Sequence, residues 1–122
     1  MNSHQMICHL NDSFKAVIGE KSVSMNVNIF YKTIGKWFAL YLPINWPHGV
    51  PTRPEIDQEK NGSKPIDFDK DLNELKEFIE RLTKENKDFK WSNHPLFGEM
   101  SQEDWMRWAY LHVDHHLRQF GV

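Results

Sequence analysis

The chain has 122 residues and a mass of 14.6 kDa, the length of one domain. It is 39% hydrophobic and 26% charged with a formal net charge of −2, which excludes a disordered tail and a membrane-embedded protein. Residues 55–90 interleave 11 acidic with 8 basic side chains, and no Lys/Arg cluster occurs elsewhere, so nucleic acid is not an expected partner.

In chain order, Ser3 reads as an N-cap, and Met6, Ile7, Leu10, Phe14, Val17 and Ile18 follow at helical spacing up to Gly19. Residues 21–27 read as a linker. Over residues 28–42, Ile29, Phe30, Ile34, Trp37, Phe38 and Tyr41 repeat helically; Gly35 weakens the pattern and Pro43 ends it. A third helix is capped by Asp67 and carries one apolar stripe of Phe68, Leu72, Leu75, Ile79 and Leu82. The last starts at Ser101, places Glu103 and Asp104 in its first turn, where carboxylates suit the helix dipole, and runs to about Phe120 before Gly121. No run of alternating β-branched residues demands a strand. The expected fold class is all-α: a helical bundle with four helices in this chain and a long Pro-rich crossover loop, forming a single domain over residues 1–122.

That loop, residues 43–66, holds five prolines, Gly49, Gly62 and Trp46. Connections between bundle helices usually take ~2–8 residues, so a stiff one of this length reads as a cover over a pocket or as a strap that packs Trp46 against the helices.

The seven histidines carry the chemistry. At ~100° per residue, Trp105, Trp108, Ala109, Val113 and Phe120 share one face of the last helix, with His112 and His116 in its middle and His115 toward its edge. A backbone carbonyl or a tyrosine can satisfy one buried imidazole. Two at i, i+4 double the desolvation cost and repel when protonated, which a shared cation resolves. The HxxxH lacks the intervening Glu of the metalloprotease motif. On the first helix His9 lies beside the apolar arc of Met6, Leu10 and Val17, facing in near the rim or out to solvent. Cys8 points another way, as an inert thiol or a thiolate ligand. His4 reads as solvated. His48 and His94 sit on loops, structural or exposed, or else available for proton transfer.

Residues 94–101 (HPLFGEMS), 103–105 (EDW) and 110–121 (YLHVDHHLRQFG) together resemble the C-terminal signature of the DinB-like (YfiT-like) putative metalloenzymes, closest to a branch of unknown function. Residues 5–10 (QMICHL) resemble that branch's His-bearing helix, and residues 46–55 (WPHGVPTRPE) its proline-rich loop. The resemblance implies a helical bundle holding a divalent metal on three histidines: His9 from an early helix, with His112 and His116 from the final HxxxH. Characterised members of the superfamily include transferases that use small thiols. Relatives usually carry another helix before the first ligand helix. Here Met1 stands just before it, so either the start is internal to a longer gene, or the 28–42 helix or a second chain supplies the missing face.

Three neutral imidazoles leave a divalent ion an open position, for a water of lowered pKa or a substrate thiol held as thiolate. Imidazole does not separate Zn, Ni, Mn and Fe. Trp46, His48 and Gln119 are the pocket candidates; no catalytic residue is assigned. The expected function is a metal-dependent enzyme acting on a small molecule, a small-thiol transferase or a hydrolase. The alternative is a non-catalytic metal-binding bundle. A homodimer is expected, since a bundle short of one helix exposes an apolar face. The single Cys8 and the lack of a signal-like start or a span of ~20 apolar residues lead to an expected cytoplasmic location.

Overall fold

The first helix, α1 (Ser3–Val17), is capped by Asn2, not Ser3. Asn2 accepts from the Gln5 amide while the Gln5 side chain accepts from the Asn2 amide, a reciprocal box that Ser3 stands one residue too late to close. In chain order there follow a single π-turn (Tyr31–Gly35) running into α2 (Lys36–Tyr41), a 3-10 turn (Pro54–Ile56), α3 (Phe68–Thr83) and α4 (Gln102–Gln119). The computed structural model describes residues 1–84 and 90–122. Among them the fold is all-α with four α-helices and no strand; His94 and Gly98 form an isolated β-bridge. No helix of the described residues is long and apolar enough to cross a membrane.

The chain divides into two compact units, Met1–Val23 with Thr52–Ser92, and Ser24–Pro51 with Asn93–Val122. In the first, α1 packs on α3. The Phe14 and Phe78 rings meet at 6.0 Å, and Leu75, Phe78 and Leu82 are the buried face of α3. Phe78 thus takes the place expected of Ile79, which is exposed, as is Phe68. Positions 78 and 79 both keep helical spacing between Leu75 and Leu82, and the contact with Phe14 on α1 falls to Phe78. Asp12, fully buried on α1, ties down the loop that precedes α3: it pairs with Lys21 at 2.8 Å and accepts from Ser63 Oγ at 2.6 Å, the Ser63 amide at 2.7 Å and Gln58 Nε2 at 3.0 Å. Gly62 lets that loop turn back, because a Cβ there would stand 2.7 Å from the Asp57 carbonyl carbon.

In the second unit α2 packs on α4. The Asp104 carboxylate takes a hydrogen bond from the Tyr41 hydroxyl and lies 3.3 Å from Lys36 Nζ; Arg107 Nε donates to the Leu40 carbonyl at 2.9 Å. Burial raises the Asp104 pKa, but the Tyr41, Ser101 and Lys36 hydrogen bonds outweigh it and hold the carboxyl below its usual range. The apolar face expected over residues 28–42 is not a core face: Ile29, Phe30, Ile34, Trp37 and Phe38 are exposed, from 48% at Phe38 to 76% at Ile29, and Leu40 alone of α2 is buried. The π-turn closes i to i+5, so residues on either side of it do not keep one 3.6-residue stripe.

Candidate metal centre

Helix α4 starts at Ser101, whose side chain accepts from the Asp104 amide while Asp104 accepts from the Ser101 amide. Trp105 and Trp108 are buried and meet edge-on at 5.4 Å, fixing which face of α4 turns inward. One and two turns beyond Trp108, His112 and His116 fall on that face and are buried; His115 is half-buried. Phe120, assigned to the same face, lies beyond the helix as its C-cap and is exposed.

The two imidazoles point at each other, with His112 Nε2 3.1 Å from His116 Nε2. His116 Nδ1 donates to Gln119 Oε1 at 3.0 Å, and the Gln119 amide nitrogen donates to His115 Nε2 at 3.2 Å. With the Nδ1 proton committed to an amide oxygen, the neutral His116 ring carries its lone pair on Nε2, facing His112. Zn–N bonds of ~2.0–2.1 Å at a tetrahedral angle need two nitrogens about 3.3 Å apart, so a separation of 3.1 Å fits one ion with small ring rotations.

Trp46 sits beside the pair. Its Nε1 donates to the Ala39 carbonyl at 2.7 Å, and its ring lies 6.2 Å from that of His112 and 6.0 Å from that of His115. The strap and the pocket wall are therefore one side chain. A cavity of about 270 Å³ opens there, bounded by Ile44, Trp46, His48, Leu111, His115 and Arg118. His48 is exposed, its ring 5.5 Å from that of His115. Burial and the nearby His48 lower the His115 pKa, and Asp114 pairs with Arg118 at 2.7 Å. The second unit thus brings together His112, His116, Trp46, His48 and Gln119.

His9 belongs to the first unit. It is buried, and its Nδ1 lies 2.7 Å from the Ile56 carbonyl. A carbonyl only accepts, so Nδ1 carries the proton and the neutral ring keeps its lone pair on Nε2, as in His116. A ring N–H given to a carbonyl or amide oxygen is how metal-ligating histidines are usually oriented. Ile56 lies on the 3-10 turn of the Pro-rich loop, where no local pattern marks its carbonyl.

Of the two remaining histidines, His94 takes the structural role open to it and His4 departs from its expected place. His94 is buried in its own turn and takes no part in the site. His4 is not solvated: it is half-buried, with Nε2 2.7 Å from Asp71 Oδ2. Cys8 is buried and donates to the same Asp71 oxygen at 3.4 Å; burial, then Asp71, pushes its thiol up to about 12, an inert proton-bearing sulfur in the metal-free chain.

No curated protein and no solved structure matches this chain. A family model does, over residues 2–121: the chain belongs to the family described as protein of unknown function DUF1569.

Proposed function

We propose that this protein is a metal-dependent enzyme of the DinB-like kind that binds one divalent ion on His9, His112 and His116 and transfers a small thiol. The reading rests on one observation, two buried imidazole nitrogens of α4 facing each other 3.1 Å apart. The Nδ1 hydrogen bonds of His9 and His116 support it, since both set Nε2 as the ligand atom. The DinB-like kinship rests on the motifs in residues 94–101 and 110–121.

A divalent ion on three neutral imidazoles supplies a charge that stabilises a bound thiol as its thiolate. The chain's own residues do the rest. Gln119 fixes the His116 tautomer and ring plane, and the Ile56 carbonyl does the same for His9. Trp46, pinned through Ala39, is a rigid apolar wall, and the cavity beside it fits a small co-substrate better than a macromolecule.

Elemental analysis of protein purified without a His-tag tests this, followed by a small-thiol transfer panel before and after chelation. The expected result is bound divalent metal, activity lost on chelation and restored by the metal, and a loss of up to one equivalent in His9→Ala relative to wild type. A chain that binds no metal, or a His9→Ala variant with undiminished affinity, overturns the ligand set. Activity indifferent to chelation overturns the enzyme reading.

A further inference from the structure

A second cluster lies wholly within the first unit. His4 and Cys8 stand one turn apart on α1, and Asp71 comes from the first turns of α3. His4 Nε2 is 2.7 Å and Cys8 Sγ 3.4 Å from Asp71 Oδ2, and the three donor atoms all lie within 4.8 Å of one another. We propose that His4, Cys8 and Asp71 form a second divalent-cation site, selective for zinc-like ions and independent of the three-histidine site.

The donors are an imidazole nitrogen, a thiol sulfur and a carboxylate oxygen, a set that favours zinc-class ions over magnesium or calcium. Tetrahedral bonds of ~2.0–2.3 Å place such donors about 3.3–3.6 Å apart. The sulfur–oxygen separation already lies in that range, and the nitrogen–oxygen one must open by about half an ångström. The His4 and Asp71 side chains, each 21% exposed, have room for that movement and leave a fourth position to water. The frame around them is fixed: Asn11, one turn past Cys8, donates through Nδ2 to the Asp71 carbonyl at 2.9 Å, and Lys15 pairs with Glu74 at 2.8 Å. Both contacts clamp α1 to α3 on the face that carries the donors. Binding replaces the thiol S–H with a metal–sulfur bond and releases that proton to solvent; no oxidant or reductant takes part.

The chain has a single cysteine, which makes the test selective. Titrated with Co²⁺, the full chain should develop thiolate-to-cobalt charge-transfer absorption that saturates by two equivalents, because the three-histidine site fills as well, and is displaced by Zn²⁺. A site of three histidines has no sulfur and cannot produce that band. The band should persist in a His112→Ala/His116→Ala variant and vanish in Cys8→Ser. His4→Gln and Asp71→Asn should each weaken Co²⁺ binding about hundredfold or more, since losing even a partner behind a metal ligand costs 10–100-fold. No band in wild type at saturating Co²⁺, or affinities unchanged in both His4→Gln and Asp71→Asn, overturns the site. The wild-type reading decides even where Cys8→Ser does not fold. Failure of the three-histidine site would leave this band in place, so the two outcomes are separable.

Discussion

His94 and the His112–His116 pair are buried in the same unit, yet their hydrogen bonds run in opposite directions. His94 Nδ1 accepts from the Leu96 and Phe97 amides, both at 3.1 Å, and its ring stacks on Phe97 at 4.3 Å with Trp105 and Trp108 beside it. Its lone pair is used up by its own turn. In His116 the Nδ1 proton is given away to Gln119, so the lone pair is presented on Nε2 to a second imidazole. Burial alone therefore does not mark a ligand. The atom that receives the Nδ1 proton does, and by that criterion His9 sides with His116.

Removing one member of each class gives the largest contrast. His116→Ala should lower metal content by one equivalent relative to wild type, whereas His94→Gln should leave metal content unchanged and lower stability instead; elemental analysis beside urea unfolding reads both. Metal loss in His94→Gln with the fold intact would break the comparison.

Acid should separate the two classes next. Burial pushes the His94 pKa down to about 3, against about 6.5 in the unfolded chain. Between those values the unfolded state binds the extra proton, so the contribution of neutral His94 is full above pH 6.5 and is lost as pH falls toward 3. From pH 7 to 5 this term should remove about 2 kcal/mol. Unfolding of wild type and His94→Gln across that range isolates it, because carboxylate terms are common to both. Parallel pH profiles would mean that His94 is not held neutral.

Gln119 should have a smaller effect. Gln119→Ala removes the acceptor that sets the His116 tautomer but no ligand, so metal affinity should fall about tenfold, or about 1.4 kcal/mol. Isothermal titration with the metal-free chain measures it. A complete loss of binding would mean that Gln119 is itself a ligand.

Much of this contrast is legible in the sequence, for identifiable reasons. His112 and His116 continue the stripe of Trp105 and Trp108, so a helical wheel alone places them inward and His115 at the edge. Gln119 is one turn farther along and within reach of His116. Elsewhere a wheel misleads. The π-turn at Tyr31–Gly35 breaks the register that would have buried Ile29, Phe30 and Trp37. The Nδ1 lone pair of His94 is taken by two amides of its own turn, which no side-chain pattern encodes. Asp71 looks like one more charge on a solvated helix until α1 brings His4 and Cys8 against it. Periodicity reports which face is buried. It does not report which backbone atom waits there, and for a histidine that atom decides the chemistry.

The smallest expected effect tests the wheel most directly. His115 neighbours His116 in sequence, and its i+3 spacing from His112 also suits a shared ion, so spacing alone does not choose between them. Burial and orientation do. His115 is half-buried, lies against Trp46 and His48 on the cavity side, and accepts on its Nε2 from the Gln119 amide, whereas the Nε2 of His116 is turned toward His112. His115→Ala should therefore leave metal stoichiometry unchanged and shift affinity by no more than about twofold, well under 1 kcal/mol, while altering ligand binding in the cavity. Elemental analysis of His115→Ala beside His116→Ala settles the register: if the first loses the ion and the second keeps it, the inward face of α4 has been assigned to the wrong histidine.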